Sequence, residues 1–113
     1  MNRGDVYEAE LNSSQASEQG GMRPAIIVSR DALNNISTIV VVVPVTGREN
    51  KKRIYPSQLE LNANDGGLTK DSVALCEHIR AISKSRLKKH MGHLSNRAMS
   101  LLNATIKITL DLP

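Results

Sequence analysis

Arg23-Pro24-Ala25-Ile26-Ile27-Val28, followed by Ile39-Val40-Val41-Val42-Val43-Pro44-Val45-Thr46, reads as two apolar strands rich in the β-branched residues that favour sheet. The expected strands run over 23–29 and 37–45, with a turn or a single helical turn at 31–35 between them. A guanidinium then stands at the start of one strand and a hydroxyl at the end of the next. If the two strands pair antiparallel, those ends meet. A fixed cation beside a hydroxyl donor, on a basic chain, points to a phosphate site.

Working outward, 6–11 alternates weakly and is expected to form a first strand. Residues 12–21 are rich in Ser, Gln, Glu and Gly without periodicity and read as a loop that runs straight into Arg23. A basic loop is expected over 47–55, a short strand over 58–61, and a turn over 62–67 with Asp65-Gly66-Gly67 at its tip. Residues 72–83 alternate as one further strand, while 85–93 is basic and supports no assignment. The last element is the clearest helix: Asn96, Ser100, Asn103, Lys107 and Asp111 fall on one narrow polar stripe. Ser95 suits its N-cap. Its apolar face, with Ala98, Met99, Leu101, Leu102, Ile106 and Leu110, is wider than a helix lying on a sheet needs. The plan is a small barrel or α+β domain of short antiparallel strands closed by a C-terminal helix.

Composition narrows the function. The 113 residues suit a single domain, 1–113, with one modest core. No apolar run is long enough to cross a bilayer, the N-terminus has no signal-peptide core, and the one cysteine forms no internal disulfide. A cytoplasmic location and no membrane contact are expected. The net charge of +4 is unevenly spread: residues 1–71 carry eight Lys/Arg against nine Asp/Glu, and residues 72–113 carry seven against two. Arg80, Lys84, Arg86, Lys88 and Lys89 form one basic cluster, and Arg48, Lys51, Lys52 and Arg53 another just after Thr46. A solvated face explains either cluster alone; two of them flanking a phosphate site point to nucleic acid. With no Phe or Trp, and only Tyr7 and Tyr55, a base-stacking platform is not expected.

Six fragments in order carry a resemblance: Arg3-Gly4-Asp5-Val6-Tyr7, Glu18-Gln19-Gly20-Gly21-Met22-Arg23-Pro24-Ala25, Val41-Val42-Val43-Pro44-Val45-Thr46, Gly67-Leu68-Thr69-Lys70-Asp71-Ser72, Cys76-Glu77-His78-Ile79-Arg80-Ala81-Ile82, and Arg86-Leu87 up to Gly92-His93-Leu94. Together they resemble the MazF/PemK (Kid-type) toxins of toxin–antitoxin modules. The resemblance implies a mainly β (α+β), SH3-like small β-barrel of the plasmid-toxin type, usually a homodimer. It implies a sequence-specific endoribonuclease that cuts single-stranded RNA, often mRNA, without metal or cofactor. A cognate antitoxin, expected to offer an acidic and partly disordered segment, would neutralise it. A non-catalytic toxin of the same fold, inhibiting a protein target such as DNA gyrase, is the alternative.

The resemblance places catalysis on Arg23 and Thr46. Metal-free RNA cleavage uses the 2′-hydroxyl as nucleophile and leaves a 2′,3′-cyclic phosphate and a 5′-hydroxyl. The protein must help remove the 2′ proton, stabilise phosphoryl charge and protonate the leaving oxygen. Arg23 suits charge stabilisation and is a poor base; on the residues alone a structural ion pair remains open. Thr46 can donate to a phosphoryl oxygen, or simply end a strand. Glu18 is the candidate acceptor for the 2′ proton, with loop closure or base reading as its alternatives. Gln19, Gly20, Arg48, Lys51, Glu77, His78 and Arg80 are the candidate substrate contacts. Parity puts Glu77 and Arg80 on opposite faces of one strand unless a bulge intervenes. Relatives commonly carry an amide where His78 stands, so a proton-transfer role does not carry over to it. A Cys76–His78 thiol site lacks a third orienting group. The three histidines match no recognised ligand spacing; no metal is expected.

Overall fold

The computed structural model describes residues 1–11 and 21–113. Its elements are β1 (Asp5–Leu11), β2 (Gly21–Ile27), α1 (Asp31–Ile36), β3 (Ile39–Gly47), β4 (Gln58–Leu61), β5 (Ser72–Leu75), β6 (Arg80–Ser83), β7 (Leu87–His93) and α2 (Asn96–Leu110). The sheet runs β4-β5-β3-β2-β1-β7, and β6 also pairs with β3. The paired strands are all antiparallel. The end strands β4 and β7 do not pair with each other among the described residues. The expected mainly β plan with a C-terminal helix therefore holds, with the sheet left open instead of closed into a full barrel.

Strand β3 is buried on both faces, which is why it reads as an unbroken apolar run. Val43 and Val45, with half-buried Val41, pack into a cluster with Val6, Ile26, Leu94, Ala98 and Leu102. Val40 and Val42 face the other way and join Ala9, Leu11, Ala25, Ile27 and Ile82. The period of two thus divides one strand between two cores. On one edge β3 pairs with β2, with Ala25 opposite Pro44 and Ile26 opposite Val43. On the other edge Ile39 to Val42 pair with β6, and Val45 to Gly47 pair with β5.

That second edge corrects the expectation of one strand over 72–83. A 3-10 turn at Cys76–His78 separates β5 from β6. It falls opposite Val43 and Pro44, between the two stretches of ladder, and Pro44 has no N–H to lend there. The turn also removes the parity argument against Glu77 and Arg80. Arg80 stands opposite Val42 and so shares a face with Thr46, two positions of even parity further along β3.

The unassigned segment 85–93 contains β7, an edge strand on β1. Its register shifts between Val6 and Tyr7 and again between Glu8 and Ala9. Those irregularities break the alternation that would have marked it. Helix α2 starts where expected: Ser95 Oγ accepts from the Ala98 N–H at 3.1 Å. Asp65 in turn accepts from both the N–H and the hydroxyl of Ser95, each at 2.8 Å. Neighbouring Gly67 has φ +77°, and a Cβ there would come within 2.0 Å of the Met91 carbonyl oxygen. Only glycine lets this turn press against β7.

The Arg3-Gly4-Asp5 triplet, an adhesion signal in other settings, is spent on internal contacts. Arg3 Nε donates to the Val28 carbonyl and its Nη2 to Asn103 Oδ1, both at 2.7 Å. Asp5 is 8% exposed and accepts from His93 Nδ1 at 2.8 Å, with His90 Nε2 at 3.6 Å. Pairing of β1 with β7 therefore puts an acid beside two of the histidines, which the sequence reading did not foresee. His78, in the turn between β5 and β6, is not part of that group. Burial by itself raises the Asp5 pKa, but the Asn2 N–H and the two histidines outweigh it and hold the carboxyl below its ordinary value of 3.8. A depressed folded pKa contributes stability above the unfolded value, and that stability is lost as pH falls through the folded value. Asp5→Asn should thus be less stable than wild type at neutral pH and lose less stability on acidification. Urea midpoints measured across the acid range check this, and parallel profiles would refute it.

Candidate active site

The β2–β3 register answers the question posed by the two strand ends. Ala25 lies opposite Pro44, and the same antiparallel register continued by two residues sets Arg23 across from Thr46. Both line one surface cleft together with Pro24, Val45, Gly47 and Lys70. By strand parity the two side chains share the face of Ala25, Ile27 and Val42, while Val45 and Leu68 in the cleft wall belong to the first core.

The two residues differ in freedom. Thr46 is 3% exposed and is held in the ladder opposite Val73. Its Oγ1 accepts from Asn50 Nδ2 at 3.0 Å, from the 3-10 turn Arg48–Asn50 that follows β3. With one lone pair so engaged, the hydroxyl hydrogen is left to donate elsewhere. Arg23 is exposed, and none of its hydrogen bonds or ion pairs is with a described side chain. A guanidinium and an oriented hydroxyl lining one cleft are the donor types that suit an anion. The cleft's described lining includes two cations, Arg23 and Lys70, and no carboxylate.

The other sequence candidates distribute unevenly. Glu18, Gln19 and Gly20 lie outside the described residues. Arg48 serves its own loop, with Nη1 donating to the Lys51 carbonyl at 2.6 Å and Nε 3.7 Å from Glu60. Lys51 stands 5.8 Å over the Tyr55 ring, a cation–π placement. Glu77 is exposed and accepts from Gln58 Nε2 at 2.5 Å, which ties the turn to β4. His78 is half-buried beside it. Arg80 is half-buried on β6 and shares a second surface hollow with Ile82, Ser83 and Arg86. Sequence reasoning missed Asn50 and Lys70. Asn50 sits four residues past Thr46, a spacing that a short helical turn would have brought together. Lys70 lay inside a fragment noted only for its resemblance.

Residues 2–110 match the model of the PemK-like, MazF-like toxins of type II toxin–antitoxin systems. The chain belongs to this family. It is 46% identical to the endoribonuclease MazF of Staphylococcus saprophyticus over 112 residues, which is 99% of this chain and 92% of that protein. Two solved structures are similar in fold at 25–26% identity. An endoribonuclease from Mycobacterial species, in complex with its cognate antitoxin, gives a TM-score of 0.82 over 100% of this chain and 97% of its own. MazF from Deinococcus radiodurans gives 0.82 over 99% and 97%.

Within this PemK/MazF-family toxin, Cys76 carries no chemistry. It is 1% exposed, and burial, reinforced by the charge of Glu77, pushes its thiol up to about 12. A thiol so far above neutral pH supplies almost no thiolate. The native protein should stay unmodified by iodoacetamide under conditions that alkylate the urea-unfolded chain, read by intact mass. Rapid alkylation of the folded protein would contradict this placement.

Proposed function

We propose that this MazF-type endoribonuclease toxin cuts single-stranded RNA at a short sequence, without metal, by attack of the 2′-hydroxyl on the adjacent phosphorus. The observation that carries the reading is the meeting of Arg23 and Thr46 in one cleft. Arg23 clamps the phosphoryl oxygens as negative charge develops on them. Thr46, oriented by Asn50, donates a second hydrogen bond to the same group. Glu18 takes the 2′ proton, leaving a 2′,3′-cyclic phosphate and a 5′-hydroxyl. DNA lacks that nucleophile, so the mechanism itself restricts the substrate to RNA.

The same cleft explains neutralisation. An acidic, partly disordered segment of a cognate antitoxin competes with phosphate for Arg23 and the neighbouring cations. The solved antitoxin complex of the mycobacterial relative supports such a partner. A homodimer is supported by the apolar flank of α2, where Leu101 and Ile108 are 44% and 63% exposed. No helix among the described residues is long and apolar enough to cross a membrane, and the toxin acts on RNA in the cytoplasm. The binding-only alternative, directed at gyrase, is not favoured, because the relative matched over nearly the whole chain carries the endoribonuclease activity in its name.

Purified protein incubated with a long mixed-sequence RNA in EDTA tests the reading. Recurring cuts with cyclic-phosphate ends should appear. Arg23→Ala should lose roughly 10²–10³-fold in rate, the scale for removing a transition-state donor. Asn50→Ala should lower kcat more than it raises KM, because it disturbs the orientation of Thr46 and not the capture of RNA. Folded wild-type protein that leaves RNA intact would return the binding-only reading.

A further inference from the structure

Lys70 stands on the rim of the Arg23/Thr46 cleft, but in the free protein its ammonium is turned to Glu49, with Nζ and Oε1 at 2.5 Å. The pair sits where the β3–β5 ladder runs out. Gly47 is opposite Ser72, the Arg48 N–H donates to the Asp71 carbonyl at 2.9 Å, and Glu49 and Lys70 follow in the same register. Gly47, next to Thr46, has no side chain, and that absence makes the site: a Cβ there would fall 2.0 Å from Glu49 Oε1. The carboxylate therefore lies against the backbone of the catalytic strand, beside the cleft.

We infer that Glu49 and Lys70 form an exchangeable latch at the mouth of the cleft, in which Lys70 releases the Glu49 carboxylate to take an RNA phosphate flanking the one that Arg23 and Thr46 hold. The inference rests on the ribonuclease reading above and adds a substrate-binding residue and a built-in competitor to it. Three features of the pair suit exchange. Both side chains are more than half exposed, 61% for Lys70 and 54% for Glu49, and ion pairs in that setting hold little stability. Lys70 is a compact charge on a flexible stem and can swing towards the cleft without disturbing the backbone. Its carbonyl is fixed by the Ser72 hydroxyl at 2.8 Å, so the base of the swing is anchored. Glu49 imitates the incoming ligand: it is an oxyanion, and the hydrogen bond from Lys70 holds its pKa below the ordinary value, so it remains charged where RNA binds.

A Lys that gains a phosphate must show it in salt dependence, since each phosphate neutralised on a single strand adds about 0.7 to the slope of log affinity against log salt. Lys70→Ala, Glu49→Gln, Lys70→Arg and the Lys70→Ala/Glu49→Gln double variant are compared across a KCl series. Cleavage of the mixed-sequence RNA and binding of a single-stranded DNA of the same sequence, which cannot be cut, are followed in parallel. Lys70→Ala should flatten the slope by about 0.7 and weaken binding at low salt, read in cleavage as a raised KM. Lys70→Arg should keep the wild-type slope. Glu49→Gln should bind more tightly than wild type, and the double variant should match Lys70→Ala, because the competitor matters only through Lys70. An unchanged slope in Lys70→Ala overturns the latch. So does a Glu49→Gln variant that weakens binding in both backgrounds, the mark of a simple structural brace. A Lys70-dependent slope for DNA binding, without any RNA cleavage by wild type, would overturn the ribonuclease reading and leave the latch standing.

Discussion

Strand β3 is hydrogen-bonded along both edges, and most of the molecule takes its position from that fact. Its odd-numbered valines feed the core beneath α2, and its even-numbered ones feed the core beneath β1, β2 and β6. One-residue slippage would exchange the two sets, so burial on both faces pins the register as firmly as the hydrogen bonds do. Thr46 inherits its place from this constraint. It is the last even-numbered side chain before the ladder ends, and the register that seats Val42 against Ile27 also brings Arg23 opposite it.

Around that fixed line the charges are arranged by cost. Asp5 is largely buried and has hydrogen bonds from Asn2 and His93, as a carboxylate in that position requires. Arg3 is committed to Val28 and Asn103, tying the N-terminus to α2. Arg23 and Lys70 instead sit at the surface. A cation there costs little to expose and stays available to an anion, which is where a phosphate-handling protein needs its free energy of interaction. The same reasoning separates Arg48 from Arg23. Both are arginines next to the cleft in sequence, but Arg48 donates into its own loop, whereas Arg23 donates to no described side chain.

The strands at 5–11, 21–27 and 39–47, the helix from Asn96 and its Ser95 cap were all legible, because each carries a local signal: apolar runs of β-branched residues, a 3.6-residue polar stripe, a capping hydroxyl. The cleft was half legible. Arg23 and Thr46 could be paired from strand ends alone, since antiparallel neighbours of similar length must bring opposite ends together. Strand β7 was not legible, because two register shifts against β1 erase its alternation. The split at Cys76–His78 was hidden too, because its cause lies on a different strand, at Pro44.

By itself, then, the sequence determined the elements with strong local periodicity, the basic balance, and the Arg23/Thr46 pairing, all of which depend on neighbours along the chain. Only the tertiary structure decided that Asp5 meets His90 and His93, that Arg80 shares the face of Thr46, that Asn50 orients the Thr46 hydroxyl, and that Lys70 stands on the cleft rim while its ammonium pairs with Glu49. Those contacts join segments up to 88 residues apart. They follow from where bulges, turns and one proline shift the register, which the composition of a single segment does not encode.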